Sequence, residues 1–441
     1  MATAATVAAQ LSDREHRAQL RRAVIASTVG TTIEWYDFLL YGQMAALVFA
    51  KLYFPASDPL TGTLQAFGVF AIGFVARPIG AALFGHYGDR IGRKAALIAT
   101  LLFTGISTFL VGCVPSYQHI GIWGAIIITA LRFIQGIGVG GEWGGSVLLS
   151  MEWARTNRHR GFISSWPQWG GPAGFFLANL AILAFSRMSG EQFLSWGWRV
   201  PFWLSLIMVA IGLWIRLGIL ETPIFQQLVA EDRIERAPVV EVLKRQPKEV
   251  ILTALARMGQ MAPTFIYSAF FFTYGITVVH ASRDFLLTAL LIGSFFSLFT
   301  IPLSGFLADR FGRKQVYIFG AAMTGLFAFV YYALFDTAVP GLIILACVIA
   351  FIFHDLMWGP QAALVAECFT PRLRYSGASI GFQLAAVFAG GPAPLIATAL
   401  LAATKSGQAI ALYVFACTIV SIAATSFLPN YANRDISREY A

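Results

Sequence analysis

Acidic and basic side chains interrupt several long apolar runs of this 441-residue chain. A charged group inside a bilayer costs several kcal/mol unless it is paired or hydrated, so each such residue is a candidate for function. Their types suit the transfer of protons and the binding of a carboxylate. These residues are Glu34, Asp37, Arg77, Arg132, Glu142, Arg257 and Asp355, with His354 as a polar neighbour.

The two acids of the first apolar run, Glu34 and Asp37, are separated by three positions. This spacing places both on one face of a helix, near the middle of a membrane span. Two carboxylates this close do not both ionise readily, so one of them can take up a proton outside and release it inside. The alternative is that one acid pairs with a buried arginine and only holds helices together. We predict proton coupling, with Asp37 as the first candidate and Glu34 as the second.

Arg132 lies near the middle of the fourth apolar run. Its guanidinium group presents a planar fork that suits a carboxylate, so we predict that it anchors the substrate. A structural pair with Glu34 or Asp37 is the alternative, and the two roles are compatible. Glu142, nearer the cytoplasm, has two open interpretations: it relays protons inward, or it pairs with Arg77 or another basic group.

In the second half of the chain, the buried charges are Arg257 and Asp355. One interpretation is that they pair with each other, and Asp355 is also a further candidate for proton coupling. We interpret His354 as a hydrogen-bonded packing residue, because adjacent residues point to different sides of a helix.

Amides and aromatic side chains at the same depth complete a candidate polar pocket. Each of them alone is more often a packing or interhelical residue than a ligand. The predicted contacts are Tyr41, Gln135, Gln168, Trp169, Tyr267, Trp358 and Gln383, with Gln361 as an additional candidate. Gly-Pro runs at residues 170–174 and 390–394 are better interpreted as hinges, since their small residues and missing amide donors allow bending.

The elements that must position these residues are membrane helices. Hydrophobic residues make up 57% of the chain and charged residues only 12%, which excludes a soluble domain of this size. Four cysteines without metal-ligand spacing predict neither a disulfide framework nor a zinc site. We predict an all-α fold with twelve spans, at about 24–53, 63–86, 95–115, 121–152, 162–187, 197–220, 250–280, 284–308, 315–336, 339–367, 377–403 and 407–429.

Most Lys and Arg residues fall in alternate loops, which predicts that both termini are cytoplasmic. Residues 1–23 and 430–441 are then cytoplasmic ends, and the polar stretch 221–249 is a cytoplasmic linker. It separates two six-helix bundles, at residues 24–220 and 250–429. One basic loop recurs at the same place in each bundle, as GHYGDRIGRK at residues 85–94 and GFLADRFGRK at residues 305–314.

This repeated loop resembles the signature of the major facilitator superfamily. Further motifs resemble the metabolite:proton symporters within it: EWYDF at 34–38, ARPIG at 76–80, RFIQG at 132–136, GGEWGG at 140–145 and SWGWRVPF at 195–202. The resemblance implies secondary active import of a small polar metabolite by proton symport, with alternating access of two bundles. The metabolite would be an organic acid, such as shikimate, a dicarboxylate or an aromatic acid, or a zwitterion.

The resemblance also implies that the repeated loops latch the two bundles together on the cytoplasmic side. The alternative is that their charges only orient the spans. The predicted cytoplasmic gate comprises Gly85, Asp89, Arg90, Gly92, Arg93, Glu152, Asp309, Arg310, Gly312, Arg313 and Glu367.

Other functions are less well supported by the sequence. A proton-independent facilitator or an exporter of the same fold is the main alternative, followed by a membrane sensor. We expect no enzymatic activity, no cofactor and no bound metal. The expected partners are the substrate, protons and the lipid bilayer of the cell inner membrane, without nucleic acid, and the chain is expected to be a monomer.

Overall fold

The computed structural model describes residues 12–57, 59–153, 159–186, 190–231 and 237–430. Every regular element within these residues is helical. Twelve long helices follow one another, namely α1 (Asp13–Met44), α2 (Pro59–Arg90), α3 (Arg93–Val111), α4 (Trp123–Glu152), α5 (Arg160–Ser186), α6 (Val200–Leu217), α7 (Pro247–Phe265), α8 (Arg283–Phe311), α9 (Arg313–Phe335), α10 (Pro340–Ala366), α11 (Arg374–Ala385) and α12 (Gly407–Phe427). Four short helices lie between them, at Tyr117–Ile120, Gly190–Ser195, Pro223–Ala230 and Pro238–Arg245.

Three of the twelve helices contain a π-helical turn and then continue as α-helix. The turns are Ala45–Phe49 after α1, Ile266–Phe270 after α7 and Ala386–Gly390 after α11, and the continuations are Ala50–Tyr53, Phe271–Thr277 and Pro392–Thr404. Proline explains two of them, since a residue without an N–H disrupts the regular hydrogen-bond ladder. Pro263 lies just before the second turn and Pro392 just after the third.

Nine helices of the described chain are long and apolar enough to cross a membrane. The other three long helices, α1, α5 and α7, fail this criterion although they pack in the same bundle. The helix α1 also begins earlier than the apolar run that predicted a span from residue 24. Ser12 and Glu15 form a reciprocal capping box, in which the Ser12 N–H donates to Glu15 Oε2 at 2.9 Å, so the helix starts at Asp13.

The proposed division into two six-helix bundles stays a prediction, and residues 1–11 and 431–441 of the predicted ends lie outside the described residues. Helices of the two halves pack against each other through α5 with α8 and α2 with α11. We call the end of the helices that carries Asp89 and Asp309 the latch end. The opposite end, which carries Lys51 and Lys405, is the mouth end.

Glycine allows α2 and α4 to approach closely. A Cβ atom on Gly136 would lie 2.1 Å from the Gly73 carbonyl oxygen, and one on Gly140 would lie 2.1 Å from that of Arg77. These distances are far below van der Waals contact, so the crossing requires glycine. It sets the depth at which Arg77 and Arg132 face the interior.

Replacing Gly136 with alanine is expected to lower the midpoint of thermal unfolding in detergent by several degrees, because the overpacked crossing costs about 1–3 kcal/mol. Gly68→Ala is the matched control, since a Cβ there meets no atom within 4 Å. The control should leave the midpoint unchanged or raise it slightly. Equal midpoints for the two variants would show that the crossing tolerates a methyl group.

Candidate functional site

Five charged side chains meet in the middle of the helix bundle. They are Glu34 and Asp37 from α1, Arg77 from α2, Arg132 from α4 and Arg257 from α7, and all are buried. Their mutual electrostatic interactions link them into one group, which we call the central cluster. The sequence predicted that Glu34, Asp37 and Arg132 lie near the middle of the membrane, and the structure groups them with Arg77 and Arg257.

Asp37 is the most isolated of the five. Its exposed fraction is 0%, neither carboxylate oxygen forms a well-aligned hydrogen bond in the described structure, and the Thr108 side chain interacts with it only weakly. An ionised carboxylate in such a place is costly, whereas a neutral one is tolerated. Glu34 is 5% exposed and lies among more charges, since Arg77, Arg257 and Glu142 all interact with it.

Arg77 and Arg132 both lie against the ring of Phe38, which follows Asp37 in the chain. The guanidinium carbon is 3.9 Å from the ring centre for Arg77 and 3.7 Å for Arg132. Arg132 also donates a hydrogen bond to Gln135, whose amide donates to the Thr108 hydroxyl at 2.7 Å. Aromatic faces therefore contact both cations, which also interact electrostatically with Glu34 and Asp37.

Several arginine donors in the central cluster have no partner. In both Arg132 and Arg257, Nε and Nη2 are buried and form no hydrogen bond within the described chain. These two adjacent nitrogens match the two oxygens of a carboxylate. The role of Arg132 as substrate anchor stays a prediction.

Arg257 does not pair with Asp355, so that interpretation was wrong. Its guanidinium carbon lies 3.0 Å from the centre of the Phe382 ring, and it donates to the Phe382 carbonyl oxygen. Phe382 in turn stacks on Trp143 of α4, with ring centres 3.5 Å apart and planes 9° apart. The side chain thus packs on α11 instead of facing α10.

Asp355 instead has partners on its own helix and on α8. It accepts a hydrogen bond from Thr300, and His354 Nδ1 lies 3.3 Å from its Oδ1. The other ring nitrogen of His354 is 2.8 Å from the Thr264 hydroxyl on α7. His354 is hydrogen-bonded, as predicted, although the two adjacent side chains do meet.

Glu142 pairs with Arg216, which confirms the open alternative of a basic partner and shows that the partner is not Arg77. The Glu142 carboxylate accepts from Arg216 and also, at 2.7 Å, from the Thr100 hydroxyl. A Cβ on Gly30 would lie 1.9 Å from Arg216 Nη2, so α1 packs directly on the pair. This arrangement joins α1, α3, α4 and α6.

Of the predicted substrate contacts, two adjoin Arg132. Gln135 accepts its hydrogen bond, and the Tyr41 ring centre is 4.5 Å from its guanidinium carbon. Gln361 and Tyr267 lie apart from Arg132, against other aromatic residues. The Gln361 amide donates to the Tyr317 hydroxyl at 3.1 Å, and Tyr267 packs within a tyrosine group.

The remaining predicted contacts join the two halves of the chain. Gln168 donates to the Trp358 carbonyl at 3.3 Å, Trp169 to the Leu298 carbonyl at 2.8 Å, and Gln383 to the Val139 carbonyl at 3.3 Å. These hydrogen bonds lie where the halves meet, so the three side chains hold the halves together in this conformation. Their contact with substrate stays a prediction.

The first repeated loop caps a helix of the other half. Asp89 accepts hydrogen bonds from the backbone N–H of Ser376 at 3.2 Å and from its hydroxyl at 2.8 Å, at the start of α11. Arg93 lies 3.3 Å from Asp89 and 3.7 Å from Glu152. Asp89, Arg93 and Glu152 all belong to the cytoplasmic gate predicted from the sequence.

The second repeated loop, in the second half of the chain, caps a helix of the first half. Asp309 accepts from the backbone N–H groups of Gly161 at 2.9 Å and Phe162 at 2.8 Å, at the start of α5. Arg313 lies 3.6 Å from Asp309 and also contacts Glu367. Two carboxylates therefore occupy the positive ends of two helices, each from the opposite half.

Not every predicted gate residue takes part in these contacts. Arg90 and Arg310 are exposed; the first lies 3.1 Å from His86, and the second packs on Phe311. Gly92 and Gly312 have φ values of 120° and 99°, which glycine adopts without strain and which turn the chain between helices. Gly85 is buried against Ser376.

Sequence reasoning missed several residues of the interface between the halves. Arg160 donates to Glu367 at 2.8 Å, Tyr375 donates to the Gly141 carbonyl at 2.8 Å, and Trp143 stacks on Phe382. A signal existed for Arg160, because it lies in the segment 152–161 that matches 367–377 in the second half. The aromatic pair has no such signal.

A cavity of about 900 Å³ opens between the halves at the mouth end. Its walls include the turn after α1 and the continuation of α7, and its charged lining residues are Lys51, Arg283, Asp284 and Lys405. The two halves are therefore in contact at the latch end and separated by this cavity at the mouth end, and none of the five residues of the central cluster lines the cavity.

Comparison with known proteins agrees with this architecture. The family model described as "Sugar (and other) transporter" matches residues 22–250, and "MFS/sugar transport protein" matches residues 144–371. The chain is 41% identical to the shikimate transporter of Escherichia coli over 91% of this chain and 92% of that protein. It is 32% identical to the proline/betaine transporter of Escherichia coli, over 95% and 85%.

Solved structures of the proton:xylose symporter XylE are similar in fold. A form bound to 6-bromo-6-deoxy-D-glucose has a TM-score of 0.76 at 17% identity and covers 96% of this chain and 98% of its own. An inward open form has a TM-score of 0.67 at 18% identity, over 92% and 95%. The predicted all-α, twelve-helix fold is confirmed. Together with its sequence relatives, these findings show that the chain belongs to the major facilitator superfamily and is a multi-pass membrane transporter of metabolites, not an enzyme.

Proposed function

We propose that this transporter imports a small polar metabolite together with protons, by alternating access. The observation that carries this proposal is Asp37, a fully buried carboxyl group that forms no ion pair and no well-aligned hydrogen bond within the described chain. The ionised form of such a buried carboxyl group is costly, and binding a proton removes that cost. Because Arg132 interacts electrostatically with Asp37, protonation frees Arg132 to hold a substrate anion.

The substrate in this proposal is an organic acid such as shikimate, a dicarboxylate or an aromatic acid, or a zwitterion. The unpartnered guanidinium nitrogens of Arg132 and Arg257 support a carboxylate in each case. Relatives named as shikimate and proline/betaine transporters support both substrate classes.

We infer that the latch end faces the cytoplasm and that the protein resides in the cell inner membrane with both termini inside. The concentration of Lys and Arg in the loops of the latch end supports this orientation, and a relative at 37% identity is named an inner membrane metabolite transport protein. The conformation is then outward-facing.

Asp37→Asn is expected to abolish uptake driven by a pH gradient in proteoliposomes, by about tenfold or more, because an amide cannot carry the proton. Exchange of labelled for unlabelled substrate should persist, since it needs no net proton transfer. The measurement uses radiolabelled shikimate and proline, with an imposed inward proton gradient. Asp336→Asn is the matched control, because an amide oxygen still accepts the hydrogen bond from Tyr274.

Two results would contradict this assignment. Uptake that is indifferent to the pH gradient in the unmodified protein would indicate a facilitator. Gradient-driven uptake that survives in Asp37→Asn would place the proton on another group, and Glu34→Gln and Asp355→Asn would then be tested in the same assay.

Asp309→Asn is expected to open the latch end, because it removes a charge that two backbone N–H groups and Arg313 stabilise. A Ser165→Cys reporter measures this, since Ser165 is buried against Gly305. In inside-out vesicles, a membrane-impermeant maleimide should label the reporter about fivefold faster in Asp309→Asn than without it.

Arg310→Gln in the same loop is the control for charge, because Arg310 is exposed and packs on the ring of Phe311. Its labelling rate should equal that of the reporter alone. If Asp309→Asn also leaves the rate unchanged, the loop acts only on topology, as the alternative interpretation holds.

A further inference from the structure

The cavity at the mouth end is unusual in its charge. Its lining includes Lys51 from the turn after α1, Arg283 at the start of α8 and Lys405 after α11, but only one acid, Asp284. The three cations come from both halves of the chain, so they surround the entrance to the cleft.

Cations are disfavoured on this side of the membrane. The distribution of Lys and Arg that orients a membrane protein places them at the cytoplasmic ends of the helices. Within the described chain, the mouth end has four Lys and Arg residues, and the one outside the cavity is Arg199. Arg199 has a structural role, since it donates to the carbonyl oxygens of Gly112 at 2.9 Å and Val114 at 2.6 Å.

The lysines of the cavity have no comparable structural role. Both are exposed, and neither forms an ion pair with another described residue, whereas Arg283 lies 3.6 Å from Asp284 and against the Phe193 ring. Lys405 also occupies a left-handed backbone conformation, with φ of 55°, which glycine adopts at lower cost. Lys405 is thus present although its backbone conformation favours glycine and the distribution of Lys and Arg disfavours a cation at the mouth end.

The positive charge continues towards the central cluster. Lys51 and Tyr41 lie on the same span, about 15 Å apart along a helix axis, and the Tyr41 ring contacts the Arg132 guanidinium group. Three arginines face two acids in the central cluster itself. An anion that enters the mouth therefore meets a net positive charge at both stages.

We propose that the mouth cavity is a first binding site for a small carboxylate anion, and that the metabolite carried is therefore an anion instead of a zwitterion. The second part, that the metabolite is an anion, rests on the proposed function of the central cluster. The first part, the anion site in the mouth cavity, does not. A cavity with low-dielectric walls concentrates the field of its charges and raises the local concentration of the opposite charge. The lysines recruit the anion, and Arg132 then holds it.

The charge of the cavity can be measured without knowing the substrate. Ala402 lines the cavity, and Cys113 is an exposed cysteine outside it. In the variant Cys113→Ser/Ala402→Cys, the new thiol is modified by two methanethiosulfonate reagents, the anionic sulfonatoethyl and the cationic trimethylammonioethyl compound. The ratio of the anionic to the cationic reaction rate reports the local electrostatic potential. The ratio for Cys113 in the unmodified protein is the reference.

At low ionic strength, we expect the anionic-to-cationic ratio to be about tenfold higher at the Ala402→Cys thiol than at Cys113. Adding Lys51→Gln and Lys405→Gln should remove most of this difference, and Lys51→Arg with Lys405→Arg should retain it. High salt should also abolish it, because about 1 M salt screens charges beyond roughly 3 Å. Equal ratios at the two thiols, or a ratio that ignores the glutamine substitutions, would overturn the anion site.

The substrate class is tested by transport with the same variants. Initial uptake of labelled shikimate, an anionic probe, is compared with that of proline, a zwitterionic probe. Lys51→Gln/Lys405→Gln should lower kcat/KM for shikimate about threefold to tenfold at low salt, with kcat unchanged, and the arginine variants should restore it.

The outcomes separate this inference from the proposed function. Gradient-driven uptake of proline but not shikimate would overturn the anionic substrate and leave proton coupling intact. A kcat/KM for shikimate that the glutamine variant leaves unchanged would show that the cavity does not serve the transported molecule. Loss of gradient dependence for both probes would refute the proposed function, while the thiol ratio would still decide the charge of the cavity.

Discussion

The cost of an unpaired charge in a low-dielectric interior governs this structure. Glu142 and Arg216 offset this cost by pairing with each other. Asp89 and Asp309 offset it by accepting hydrogen bonds at helix N-termini. Aromatic rings meet it for Arg77 and Arg132, which share Phe38. Asp37 is the exception, because it forms no ion pair among the described residues, and its interactions with Arg132 and Thr108 offset the cost only in part. A transporter needs such a group, because charges that are already fully paired gain little stabilisation from binding a proton or a substrate.

Sequence reasoning identified the features that follow from composition and position. The apolar runs predicted twelve spans, and the spacing of Glu34 and Asp37 predicted their common face. The repeat of the basic loop at the same place in each half predicted a gate that includes Asp89 and Asp309. Each of these depends on local chemistry or on a repeat, so a single sequence carries it.

The remaining features depend on helix orientation, which the apolar pattern leaves open. A helix buried all round has no polar face to show which neighbour a side chain meets. For this reason Arg257 was assigned to Asp355, although it packs on Phe382. The sequence also does not indicate Arg216 as the partner of Glu142, because an arginine near the cytoplasmic end of a span is expected to orient the helix. The structure places it within reach of α1, where Gly30 leaves room for it.

The two latch contacts have a reciprocal symmetry. Each half of the chain supplies one carboxylate and one helix N-terminus: Asp89 of the first half meets α11, and Asp309 of the second half meets α5. An interface in which each side offers the same pair of complementary groups is isologous, like that of a two-fold homodimer. Two copies of a single six-helix unit would form both contacts at once. The latch is therefore compatible with descent from a duplicated gene whose product assembled in pairs, and it explains why neither half can lose its carboxylate without leaving a helix of the other uncapped.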